Sequence, residues 1–203
     1  MIGRWIDRGI AALRTELDRT RGVSRIVAGV KVDVLNTRED IDTEQVFRRA
    51  ESVLGLVGRY QPWRLRHLQR DLARILVERF PCRGAYFPDT RTCLLELTFM
   101  VNPGFSDAQV AATLVHEGMH ARLDRFCSRF GVPVFPERAA RHERICRRAE
   151  LEFGLAVPDG GPVVERALAS LALADEDVAP AIDWREAGAR VDQVDRSART
   201  GED

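Results

Sequence analysis

Residues 106–131 read SDAQVAATLVHEGMHARLDRFCSRFG, and local chemistry marks both ends of the run. Ser106 followed by Gln109 is a capping box, while Gly131, with Pro133 just beyond, is a C-terminal stop. The spacing predicts a helix between them, running through Arg129. Within it, residues 116–120 read His-Glu-Gly-Met-His, the HExxH pattern. His116 and His120 are one helical turn apart, which places their imidazoles side by side, about 6 Å apart, able to converge on one ion. The same face carries Ala112, Met119, Leu123, Cys127 and Phe130, whereas Arg122, Arg125 and Arg129 fall on the other side. Both imidazoles are therefore expected to point into the core. Neutral imidazoles there suit zinc, which takes His nitrogen at about 2.0–2.1 Å in tetrahedral geometry. Glu117 sits a quarter turn from His116, where a carboxylate can accept a proton from water and return it to a leaving amine. Gly118 costs a helix about 1 kcal/mol relative to Ala, which leaves two readings: close approach of another backbone or of substrate, or simple tolerance of the glycine.

Upstream, Ile2, Trp5, Ile6, Ile10, Leu13 and Leu17 predict an amphipathic helix over 2–20. Val30, Val32 and Val34 alternate with Lys31 and Asp33 as in a strand with one buried face. Asp42 and Gln45 suggest a capping box for a helix carrying Phe47, Ala50, Val53, Leu54 and Val57 to about Gly58. Another helix starts at Pro62 with Leu65, Leu68 and Leu72 inward. Ile75–Phe80 reads as a strand, Ala85–Phe87 as a second short apolar run, and Pro88-Asp89 as a turn. Cys93–Met100, CLLELTFM, reads as a further strand buried on both faces, ended by Asn102-Pro103-Gly104. Downstream, Pro136 opens a helix closed by Gly154 and Pro158, and Pro162 begins a shorter one carrying Val163, Val164, Leu168 and Leu171. After Asp183 the chain has little left to bury.

The whole is expected to be an α+β protein, mostly helical, with a small three- to four-stranded sheet packed on the HExxH helix. One compact domain is expected, in three stretches: a helix/strand/helix region over 1–60, the core over 61–178, and a C-terminal helix and tail over 179–203. The 203 residues suffice for such a core, with 45% hydrophobic and 31% charged residues arguing against disorder. Lys plus Arg balances Asp plus Glu at 31 each, which gives no bulk attraction toward nucleic acid or an anionic membrane. No apolar run reaches the roughly 20 residues of a spanning helix, and Arg4, Asp7 and Arg8 interrupt any signal-peptide core. A cytoplasmic location is expected. The four cysteines lack Cys-x-x-Cys spacing, which argues for reduced thiols rather than a disulfide framework.

A catalytic zinc takes three protein ligands and keeps one position open, so a third donor must come from elsewhere. The helix after the HExxH helix carries Ala139, Cys146, Ala149 and Phe153 inward, with His142, Glu143 and Glu150 on or beside that stripe. Its periodicity does not choose between His142 and Glu143.

LVHEGMH, preceded by an apolar strand and followed by Glu143 in RHERICRRAELEF, resembles the zincin metallopeptidases of the gluzincin type, including small ImmA/IrrE-like members, over about residues 84–154. The resemblance implies one zinc per chain on His116, His120 and Glu143, with Glu117 as general base and acid. It also implies that strand 93–99 is the edge along which an extended peptide is laid. The acidic residue that many gluzincins place four positions after the ligand glutamate is Arg147 here, which leaves that role to another residue such as Glu150. Tyr86, His142 and Arg138 are candidates for oxyanion stabilisation by chemistry alone.

The expectation is a zinc-dependent peptidase acting on a peptide or protein substrate, with metal-activated water as nucleophile. Two alternatives stand beside it: a catalytically silent zinc-binding regulatory domain, and a DNA-associated SprT-like processing factor. The latter is prompted by Arg64, Arg66, His67 and Arg70 and by Arg138, Arg141, Arg144, Arg147 and Arg148. Solvated helix faces account for those clusters, and nucleic acid is not expected as the partner.

Overall fold

Two hydrogen-bonded strands, Val23–Val27 (β1) and Val30–Val34 (β2), begin the part of the chain that the computed structural model describes, residues 22–132, 139–179, 186–191 and 193. The helix expected over 2–20, the start at Pro136, Arg138 and most of the tail after Asp183 lie outside the described residues.

Helices Thr43–Tyr60 (α1) and Pro62–Asp71 (α2) follow, then strands Arg74–Glu78 (β3), Gly84–Phe87 (β4) and Thr92–Glu96 (β5). The helices after β5 are Leu97–Val101 (α3), Asp107–Phe130 (α4), Ala139–Ala156 (α5), Gly161–Leu171 (α6) and the single turn Asp175–Val178 (α7). The arrangement is α+β, with helices around one mixed sheet of order β1-β2-β3-β5-β4. β2, β3 and β5 run parallel to one another, with Val32 opposite Ile75 and Ile75 opposite Cys93, while β1 and β4 close the two edges antiparallel.

Residue alternation assigns the two faces. Val32, Val34, Ile75, Val77, Cys93 and Leu95 join Phe47 and Leu54 of α1 and Val110 and Leu114 of α4 in the main core. Leu76 and Leu94 point the other way and form a smaller cluster with Phe80. Burial on both faces explains why these strands read as continuous apolar runs.

Several expectations are corrected. The sheet has five strands rather than three or four, because Val23–Val27 pairs along β2 although only Val27 in it is buried. The apolar run Cys93–Met100 is not one strand. β5 ends at Glu96, whose carboxylate accepts the Phe99 N–H at 2.6 Å and caps α3. The strand expected at the sheet edge is internal, since β5 lies between β3 and β4, and the edge is β4. α5 ends at Ala156, between the expected stops Gly154 and Pro158. Phe130, expected inward, is 61% exposed. Gly118 faces neither a backbone nor substrate space but Leu68, as a Cβ there would lie 2.3 Å from Leu68 Cδ2.

Candidate metal centre

α4 carries the HExxH residues and is held at both ends by the devices read from its sequence. Ser106 and Gln109 cap reciprocally, and Gly131 adopts φ +59° at the C-terminus. Between these ends, Val110 to Val115 are buried almost completely, which places the following turn deep in the structure. His116 is 5% exposed, Glu117 7%.

The Nε2 atoms of His116 and His120 are 3.1 Å apart, with ring centroids at 4.9 Å. Glu143 of α5 spans the pair, Oε2 at 3.2 Å from His116 Nε2 and Oε1 at 3.0 Å from His120 Nε2. Sequence periodicity left His142 and Glu143 as alternatives; the carboxylate brought against both rings is that of Glu143. One turn further along α5, the Cys146 sulfur and the two imidazoles form a group whose ligand atoms lie within 4.8 Å of one another, close enough to hold a metal ion.

Glu150 of α5 is wholly buried and stands behind His116, its Oε2 3.6 Å from Nδ1. Arg147 donates to Glu150 Oε2 at 2.7 Å, and Arg166 of α6 pairs with Oε1. Arg166 had no signal in the sequence, since nothing local ties α6 to the HExxH helix.

Burial disfavours charge throughout this cluster, yet the groups compensate one another. The burial of His116 opposes its protonation, but Glu143 and Glu150 hold its pKa up at about 9. Burial likewise works against the Glu143 carboxylate, and the two imidazoles overcome it, lowering its pKa far below the usual range. Glu150 follows the same pattern, drawn down to about 2 by His116 and the two arginines. Glu117 is raised by burial against the opposing pull of His116 and His120, with Glu143 and Glu150 adding to the rise. Burial pushes the Cys146 thiol up strongly, and nearby carboxylates push it further.

The donor set fits a divalent cation. An ion holding nitrogen and oxygen at about 2.0–2.1 Å in tetrahedral geometry sets its donors about 3.3 Å apart, close to the spacings among His116, His120 and Glu143. Glu143 and Cys146 each bring a further donor to the histidine pair, the carboxylate at 3.0–3.2 Å and the sulfur within 4.8 Å, and a bound cation would deprotonate the thiol. The imidazole nitrogen turned away from the pair faces a carboxylate, the usual arrangement behind a metal-ligating histidine.

Glu117 packs beneath β4. A Cβ on Gly84 would lie 2.8 Å from Thr113 Cγ2 and 3.2 Å from Glu117 Oε1, so a glycine is required where the edge strand crosses the helix. Two residues on, Tyr86 donates its hydroxyl to Asp124 Oδ2 at 3.2 Å. Four arginines of the two basic clusters are engaged within the fold: Arg64 with Glu152, Arg70 with Asp71, Arg144 with Asp175 and Arg147 with Glu150. No described helix is long and apolar enough to cross a membrane. Comparison with family models, with curated proteins and with solved structures finds no match for the chain.

Proposed function

We propose that the chain is a zinc-dependent metallopeptidase of the zincin kind, its ion held by His116, His120 and Glu143. One observation carries the reading: a single carboxylate stands 3.0–3.2 Å from both Nε2 atoms of an HExxH pair. When bound, such an ion supplies Lewis acidity toward a peptide carbonyl and lowers the pKa of water toward neutrality.

The chain's own groups do the rest. Glu117, whose pKa is raised by burial, is suited to take a proton from the attacking water and pass it to the amine nitrogen as the C–N bond breaks. Glu150, fixed by Arg147 and Arg166, orients the His116 ring from behind. β4 offers its outer backbone edge, beside Glu117, to an extended substrate by strand addition. The expected place of work is the cytoplasm, in keeping with four free cysteines.

The test is cleavage of an unfolded casein by the metal-loaded chain. Wild type should cut it, chelation should stop the reaction, and Glu117→Gln should keep its metal while losing turnover. Cleavage by Glu117→Gln at the wild-type rate would remove the proton-transfer role from this residue.

A further inference from the structure

Beyond the metal centre, the C-terminal half of α4 and the end of α2 enclose an open groove of 610 Å³. Its polar lining is one-sided. Four arginines, Arg70, Arg122, Arg125 and Arg129, line it with a single carboxylate, Asp71, and the neutral Ser128. That carboxylate is already satisfied, because Arg70 donates to its two oxygens at 2.7 and 2.8 Å. Arg122 and Arg125 stand farther from it, at 3.6 and 3.4 Å, with side chains 42% and 46% exposed. Asp71 thus gathers three arginines but neutralises one. The positive field reaches His67, whose imidazole is held below its usual pKa by burial and then by Arg122 and Arg70.

The rest of the lining is apolar. Phe126 and Phe130, 55% and 61% exposed, lie with ring centroids 4.7 Å apart, and Met119 and Leu123 complete the apolar lining. Exposed aromatic rings beside surplus guanidiniums suit a ligand that alternates carboxylates with apolar side chains.

We infer that this groove recognises an acidic, apolar-rich stretch of polypeptide. A polypeptide is favoured over a nucleic acid because the chain has no net charge, with 31 residues of each sign, and Arg64, Arg144 and Arg147 outside the groove are paired internally. A polynucleotide needs a longer basic track than one groove provides.

The experiment is fluorescence anisotropy with the full-length Glu117→Gln variant, which reads binding without requiring turnover. The probes are a labelled decapeptide alternating Glu with Leu and Phe, its Lys-for-Glu counterpart, and a labelled oligothymidylate, all at physiological salt. The acidic peptide should bind at least about tenfold tighter than the lysine peptide, and Arg122→Glu/Arg129→Glu should abolish or invert that preference. Arg129→Gln alone, on an exposed side chain away from Asp71, should weaken acidic-peptide binding about threefold and guards against a misfolded double variant. Equal binding of the two peptides, a preference that survives charge reversal, or tighter binding of the oligonucleotide would overturn the assignment. A wild type that cleaves nothing yet binds the acidic peptide would instead refute the peptidase reading and leave the groove's specificity standing.

Discussion

Gly118→Ala sets two effects of opposite sign against each other. Helix propensity favours alanine by about 1 kcal/mol at an interior helical position. Packing opposes it, because the new Cβ would lie 2.3 Å from Leu68 Cδ2. Ordinary carbon contacts are about 3.5–4.0 Å, so Leu68 must retreat by more than about 1 Å. It has little room: Leu68 is 2% exposed, and the space between it, Val115 and Met119 measures about 10 Å³. Overpacking of this kind costs about 1–3 kcal/mol, so a net loss of about 1 kcal/mol is expected, or about 2–4 °C in Tm for a chain of this size. Leu68→Ala alone should cost about 2–5 kcal/mol. The double variant should be more stable than the sum of the singles predicts, by at least about 1 kcal/mol, because the added methyl occupies the emptied space. Urea unfolding of the four proteins, with m compared across them, gives the cycle. Stabilisation by Gly118→Ala, or additivity within about 0.5 kcal/mol, would refute the claim that α2 and α4 meet through this glycine.

Three further outcomes follow from individual contacts. Ser106→Ala removes half of the capping box on α4 and should lower stability by about 1 kcal/mol, measured by urea midpoint. Glu150→Gln keeps the shape behind His116 but removes the charge, and competition with a chelator should show metal affinity weakened by about 10–100-fold with the fold retained. Asp71 is disfavoured as a carboxylate by burial yet held below its ordinary pKa by Arg70, so its stabilising charge is present above about pH 4 and fades as pH falls through the lower folded value. The stability gap between wild type and Asp71→Asn, read by urea midpoint, should therefore be full at pH 7 and shrink below about pH 4; a gap independent of pH would contradict the pairing.

The parts legible in advance were those written in local chemistry. Ser106, Gln109 and Gly131 announce α4 without reference to the rest of the chain, and the alternation of Val30, Val32 and Val34 announces β2. The passage from β5 into α3 was illegible because CLLELTFM is apolar throughout, and the boundary is made by one buried carboxylate, Glu96, turning back onto the Phe99 N–H. The order of strands was likewise hidden: two-sided burial marks β5 as buried but does not name its neighbours. β1 escaped because four of its five residues are exposed, although the turn that pairs it with β2 left a trace in Gly29, which follows Ala28 with φ +46° and itself has φ +75°. At the candidate site, the two histidines and Glu117 could be placed on one helix from spacing alone. The choice of third donor depends on how α5 is rotated against α4, a tertiary fact that no period along α5 contains. Arg166 reaches Glu150 from a third helix and is invisible for the same reason.

The central claim is that two turns of α4 and one carboxylate of α5 together grip a metal ion. Elemental analysis of the purified wild type, Glu143→Ala and Cys146→Ser, each checked for a native circular dichroism spectrum, tests it directly. The account predicts about one zinc per chain in wild type and in Cys146→Ser, and none in Glu143→Ala. A metal-free wild type after zinc loading would contradict it, as would full occupancy in Glu143→Ala, which would pass the third position to His142 or Cys146.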